Sequence, residues 1–268
     1  MLEAAGYQVV VPARALCCGR PLYDYGMLGL ARRLVRQALD GLGPYVRAGI
    51  PIVGLEPSCV AVFRDELLGL FPADPDALQL SQQALLLSEF LVQKVRDYQP
   101  PRLAGRAAVV HGHCHHKALM GMDDEQALLD RLGLSYQLLD SGCCGMAGGF
   151  GFERDHYDVS VKVGERALLP AVRTAAKNAL IIADGFSCRE QIAQTTDRQA
   201  LHLAEVLHMA TTEDGRITED YPEARSCCAD ALPAARRRAW LYRAGVVGGG
   251  AALAAGALLA RRHTGRGG

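Results

Sequence analysis

The sequence has no excess of charge of either sign, with 29 Lys and Arg standing against 29 Asp and Glu in 268 residues. The basic or acidic imbalance that draws a chain to nucleic acid or to acidic substrates is missing, so no nucleic-acid partner is expected and recognition must be local. No charged segment followed by an apolar run opens the chain, so no secretory signal is visible. The glycine-rich stretch "GMAGGFG" lacks the G-x-G-x-x-G order of a dinucleotide-binding turn. The cysteine count is nine, an odd number in a chain of this size, which argues against a disulfide scaffold. The thiols then read as metal ligands or redox groups in a reducing compartment, and the expected location is the cytoplasm.

What is present is a chain half of whose residues are hydrophobic, enough for one large or two modest cores. The stretch "SGCCGMAGGFGFE" (141–153) sets two cysteines side by side ahead of a cluster of glycines. Adjacent side chains diverge, so Cys143 and Cys144 need other partners. The stretch is not unique. "LEAAGYQVVVPARALCCGRP" (2–21) matches "LLDRLGLSYQLLDSGCCGMA" (128–147) in the order helix end, Gly, apolar strand and Cys-Cys-Gly turn. Further on, "PIVGLEPSC" ending at Cys59 mirrors "ALIIADGFSC" ending at Cys188. The offsets, 126 from Cys17 to Cys143 and 129 from Cys59 to Cys188, describe a tandem pair.

Each repeat alternates short apolar runs (9–11, 50–53, 107–110, 180–182) with helical patterns (28–41, 79–97, 124–132, 156–176, 198–209). This alternation predicts an α/β protein of two Rossmann-like, cysteine-rich lobes with parallel sheets, residues 1–100 and 101–212, followed by a linker and apolar tail over 213–268. The cysteines fall at strand C-termini, the sheet edge where ligands sit beside helix N-termini that favour anionic groups. "AVVHGHCHHKALMG" (108–121) has no counterpart in the first repeat, since the offset would place it before Met1. The first repeat therefore reads as truncated at its N-terminus.

In the second repeat Cys114, Cys143, Cys144 and Cys188 come from three strand-end loops and can converge. Four thiolates suit an iron-sulfur cluster or zinc, while buried free thiols packing as small hydrophobes are the plainer alternative. Gly145, Gly148, Gly149 and Gly151 would let the backbone approach and aim amides at sulfur, a purpose only a charged centre gives them. Cys17, Cys18 and Cys59 make a three-thiol set, ligands or structural thiols. His111, His113, His115 and His116 are candidates for positioning the loop, for carrying protons or for binding metal. Glu56 and Asp184, just ahead of the terminal cysteines, read as loop-orienting caps or proton carriers. Cys227 and Cys228 lie in a polar stretch without a following Gly and read as incidental.

"CCGRP", "EPSC", "HGHCHHKALMG", "DSGCCGMAGGFGFE" and "ADGFSCREQI" resemble the paired cysteine-rich CCG domains of iron-sulfur oxidoreductases, above all the C-terminal part of FAD-linked D-2-hydroxyacid dehydrogenases. Glycolate oxidase iron-sulfur subunits and heterodisulfide reductase B subunits share the pattern. The resemblance covers roughly residues 1–210. It implies a 4Fe-4S cluster on Cys114, Cys143, Cys144 and Cys188. It also implies electron transfer from an FAD-binding dehydrogenase subunit or domain, or a ferredoxin-like iron-sulfur module, to an acceptor such as quinone, in the oxidation of lactate, glycolate or 2-hydroxyglutarate. The fullest family pattern ends each repeat in Cys-x-x-Cys, whereas Val62 and Gln191 stand here. No FAD-binding stretch and no Cys-x2-Cys-x2-Cys run is visible, so those parts belong to a partner chain or a missing domain. A zinc-stabilised interaction module and a thiol-disulfide reductase subunit of the heterodisulfide type are the rival readings.

The tail holds "AGVVGGGAALAAGALLA" (244–260), 17 residues without charge between Arg243 and Arg261. A spanning helix needs about 20 apolar residues, and this run is built of Gly and Ala. It reads as one helix, either an anchor in or against the inner membrane or a surface segment.

Overall fold

Short apolar runs bounded by helices become strands where a neighbouring run can complete a ladder, and the computed structural model shows which of them do. It describes residues 1–95, 97–212 and 220–226. Helices α1 (Arg20–Asp24) and α2 (Leu28–Arg47) precede strand β1 (Ile52–Gly54), and α3 (Pro57–Arg64), α4 (Glu66–Leu70) and α5 (Pro75–Gln83) lead into β2 (Ala84–Leu86) and the single turn α6 (Leu87–Glu89). The second repeat runs β3 (Ala107–Val110), α7 (Asp123–Leu132), β4 (Ser135–Leu138), α8 (Tyr157–Gly164), α9 (Leu168–Thr174), β5 (Leu180–Ile182), α10 (Phe186–Thr195) and α11 (Leu203–Thr212), with α12 (Glu223–Ser226) last.

The class is α/β with two small parallel sheets. β1 pairs with β2, while β3 lies between β4 and β5, and Leu201 adds a parallel bridge to Ile182. With every ladder parallel, the C-termini of β3, β4 and β5 share one edge.

Three expected elements differ. Residues 9–11 form no ladder, and Val9, Val10 and Val11 are exposed. By the repeat their equivalent is β4, whose ladder partner is β3, and among the described residues no strand lies beside them to play that part. The helix expected over 79–97 is interrupted by β2. Ala84, Leu85 and Leu86 are buried on both faces and pair with β1, so the apolar run follows its ladder rather than helical periodicity. Glu89 holds the change of direction: its carboxylate accepts the Leu86 amide at 2.7 Å and pairs with both Arg64 Nη atoms, at 2.9 and 2.7 Å. The helix expected over 156–176 breaks between α8 and α9, where Pro170 in the first turn of α9 withholds the N–H that a continuous helix would bond.

Met1–Ala224 forms one compact unit. One apolar cluster, around Leu91, Leu128, Leu129, Leu132 and Ile182, joins buried residues of both repeats, a second is built on the first repeat with Met120 of the second packed against it, and the third lies within the second repeat. Arg198 and Glu223 form a buried ion pair, with Arg198 also donating to Ala179 O at 2.7 Å, which fixes α12 against the second repeat. Cys227, Cys228 and the 244–260 run lie outside the described residues. Among the described residues no helix is long and apolar enough to cross a membrane.

Leu129 is fully buried in the shared cluster, whereas Leu78 on α5 is 54% exposed. Leu129→Ala is expected to lower unfolding stability by about 2–5 kcal/mol through the cavity it leaves, and Leu78→Ala by less than about 0.5 kcal/mol, read by denaturant unfolding.

Candidate metal centre

Because β3, β4 and β5 run parallel, the loops leaving them start side by side. Cys114 follows β3, Cys143 and Cys144 follow β4, and Cys188 sits in the first turn of α10 after β5. Their thiols lie near enough to set one another's acidity, Cys143 with Cys114 and Cys144, and Cys144 with Cys188. Cys144 and Cys188 are buried and the other two half-buried, and none of the four is in a disulfide.

This crowding controls their acidity. Contact with Cys114, then with Cys144, holds the Cys143 thiol far below its ordinary range, helped by the amides of Gly145 and Ala147. Cys188 is lowered to about 5, first by Cys144 and, against its burial, by His111. Cys114 and Cys144 are pushed up, in both cases first by Cys143. Four neighbouring thiolates repel one another, and a cationic centre offsets that repulsion. An all-sulfur donor set with amides aimed at it fits an iron-sulfur cluster.

The Cys-Cys-Gly turn works alike in both repeats. Gly145 has φ +98°, donates its N–H to Cys143 Sγ at 3.3 Å, and passes so close to α8 that a Cβ would lie 2.0 Å from Ser160 O. Gly19 has φ +75° and donates to Cys17 Sγ at 3.4 Å. The other amide turned to Cys143 is that of Ala147, while Gly148 and Gly149 face Asp24 and Tyr25 across a cavity of about 550 Å³. In the first repeat Cys18 and Cys59 are 2.9 Å apart and Cys17 is exposed. The contact lowers Cys18 to about 7 and raises Cys59.

Of the four histidines of the β3 loop, His113 and His115 stay together beside Cys114, the His115 amide donating to His113 Nδ1 at 3.2 Å, while His111 and His116 turn elsewhere. His111 is buried with Nδ1 2.7 Å from Ser141 Oγ, and His113 packs with Cys188 against Gly185, where a Cβ would lie 2.3 Å from the His113 ring. His115 meets Arg20, which also pairs with Glu66 and Asp24. His116 is directed to Glu125 on α7, 3.3 Å away. Glu56 caps α3 through Ser58 and accepts the Phe186 amide at 2.7 Å, linking the Cys59 loop to the Cys188 loop. Asp184 accepts the Leu203 amide at 2.8 Å. The two positions that depart from Cys-x-x-Cys have other work: Val62 is buried in the first-repeat core, and Gln191 donates to Ser160 O at 3.1 Å, holding the turn of α8 that Gly145 touches.

Sequence reasoning passed over Arg20, Tyr25, Lys117 and Gly185. Lys117 donates to Ser141 O and Gly142 O, pinning the His-rich loop to the Cys143 loop. The Tyr25 hydroxyl donates to Glu153 across the repeats. Arg20 was accessible from the repeat itself, since Met146 occupies its place after the second Cys-Cys-Gly.

The family model for the CCG cysteine-rich domain matches residues 1–64 and 109–193, more than half of the chain and one match per repeat. The chain belongs to this family. It is 28% identical over 213 residues to a D-2-hydroxyglutarate dehydrogenase of Pantoea ananatis, covering 77% of this chain and 20% of that protein. It is 26% identical over 219 residues to one subunit of the anaerobic glycerol-3-phosphate dehydrogenase of Escherichia coli K12, covering 78% of this chain and 53% of that one. Lactate utilization protein A of Bacillus velezensis is 28% identical, with 78% and 89% covered. The chain thus spans about a fifth of the length of the hydroxyglutarate dehydrogenase it matches.

Gly145→Ala forces a side chain onto Ser160 O at a positive φ, whereas a Cβ at Gly142 meets nothing within 4 Å. The first change is expected to cost about 2 kcal/mol or more and to displace the Cys143 loop, while Gly142→Ala stays within about 0.5 kcal/mol. Thermal unfolding of the two variants checks this.

Proposed function

We propose that this CCG-family chain is the iron-sulfur electron-transfer part of a flavin-dependent D-2-hydroxyacid dehydrogenase, with Cys114, Cys143, Cys144 and Cys188 holding one 4Fe-4S cluster. The observation that carries the reading is that these four thiols, on three loops leaving one edge of a parallel sheet, lie near enough to shift one another's acidity. A four-iron cluster supplies, when bound, a site for single electrons.

The remaining roles belong to this chain's own residues. The amides of Gly145 and Ala147 place partial positive charge at Cys143, and the first turn of α10 does the same for Cys188. Lys117 and Gln191 hold the two loops in register, and burial of Cys144 and Cys188 keeps water from that side. The cavity beside Cys114 and Cys143 is the open face, where Arg20, Tyr25 and His156 are available to a docked partner. Flavin chemistry belongs on a partner chain or domain, and the length of the hydroxyglutarate dehydrogenase relative leaves room for one. The names of the relatives favour a 2-hydroxyacid such as 2-hydroxyglutarate or lactate as the substrate of the whole assembly. Quinone is a suitable final acceptor.

The first repeat, with three thiols of which two are in contact, is read as a supporting lobe. Its Cys17, Cys18 and Cys59 are not required for the cluster.

Iron, acid-labile sulfide and zinc per chain after anaerobic purification, with electron paramagnetic resonance before and after dithionite, test the reading. About four irons with matching sulfide and a reducible signal are expected. Cys143→Ser is expected to lose most of the iron and the visible absorption, and Cys17→Ser to keep both. Stoichiometric zinc without sulfide would make the chain a zinc-stabilised module, and unchanged iron in Cys143→Ser would overturn the ligand assignment.

A further inference from the structure

Behind the thiol line lies a second cluster of donor groups that the electron-transfer reading does not use. His116, Glu125 and Asp184 are 1%, 2% and 5% exposed, and one donor atom from each lies within 4.8 Å of the others. They come from three elements: the turn after β3, the first turn of α7, and the loop between β5 and α10. His116 Nδ1 and Glu125 Oε2 stand 3.3 Å apart, and neither atom has a hydrogen-bond partner. Burial and the neighbouring Asp184 hold the Glu125 carboxyl well above the usual carboxylate range, and orphaned buried polar atoms are costly unless something binds them. Among the other charged and titratable groups facing the cluster are Arg64 and His202. Arg64 is engaged with Glu89, and His202 Nε2 lies 2.7 Å from Leu55 O and 3.6 Å from Asp184 Oδ1.

We infer that His116, Glu125 and Asp184 form a second, mononuclear metal site for a borderline divalent cation such as zinc, separate from the four thiols. One imidazole nitrogen and two carboxylate oxygens suit such an ion, and two negative charges balance it in a buried setting. Donors held by zinc at about 2.1 Å stand no more than about 4.2 Å apart, so the three groups need only small side-chain shifts to close on an ion. On the His-rich loop, Cys114 lines the cavity while His116 turns to Glu125. The Leu203 amide already orients Asp184, as the supporting partner of a metal-bound carboxylate does. Cys114 lies two residues before His116 and Cys188 four after Asp184, so an ion here would brace both thiol-bearing loops from behind.

The test uses the full chain, purified anaerobically, freed of loosely held metal with a chelator and then dialysed against zinc. Wild type is expected to retain one zinc per chain, to melt at a higher temperature with zinc than without, and to show only nitrogen and oxygen neighbours in zinc-edge X-ray absorption. Glu125→Gln is expected to weaken zinc retention at least tenfold and to lose the melting shift while iron and sulfide stay unchanged. Should Glu125→Gln fail to fold, His116→Gln carries the same comparison. Sulfur neighbours around the zinc would place it on the thiols and overturn the inference. So would no retained zinc in folded wild type, or equal retention in wild type and variant. Iron and sulfide content report on the thiol site independently, so its failure and this one are told apart.

Discussion

The rest of the structure depends on bringing four thiols close together without letting their charges drive the loops apart. A parallel sheet meets the first requirement, because its strand ends share an edge and loops from β3, β4 and β5 leave it side by side. Backbone amides meet part of the second. Gly145 can turn its N–H toward Cys143 only because it adopts a left-handed φ and lies almost in contact with Ser160. The alternation of lowered and raised thiols along the line shows how tightly the charges interact.

The two repeats are joined at this same edge. Glu56 of the first caps its own helix and reaches the Phe186 amide of the second, Leu55 O meets His202, and Tyr25 reaches Glu153. Arg20 holds Glu66 and Asp24 while touching His115. These polar ties surround the cavity at Cys114 and Cys143, so the first repeat forms one wall of a site whose sulfurs come from the second. Its own Cys-Cys-Gly turn keeps the amide-to-sulfur geometry at Gly19. What distinguishes it is a side chain, Arg20 in place of Met146, which turns the equivalent position from buried packing into a charged contact.

Much of this was legible in the sequence because it follows from local rules. Short apolar runs ending in Cys, repeated at nearly the same offset, specify parallel strands with thiols beyond one end, and β3, β4 and β5 are parallel. Other features depend on partners distant in sequence. Val9–Val11 has the composition of a strand but no ladder neighbour, and Ala84–Leu86 reads as helix until Ile52–Gly54 lies beside it. Of the glycines after Cys144, Gly145 is the one whose amide meets the Cys143 sulfur; the second amide belongs to Ala147, a residue that composition does not single out. Glu125 sits in an ordinary acidic first turn of α7, where helix polarity alone accounts for it, and only packing reveals that it is buried against His116 and Asp184.

The sorting of donors along the two long loops follows from one geometric fact. On the β3 loop, His113 and Cys114 line the cavity while His116 points into the interior, and beyond β5, Asp184 joins His116 while Cys188 packs in the second-repeat core. A displacement of either loop therefore moves a sulfur and a hard donor together. Lys117, bonded to the carbonyls of Ser141 and Gly142, extends that coupling to the Cys143 loop, so three loops respond as one body. Position at the thiol line is then set as much by the buried groups behind it as by the turns that carry the cysteines.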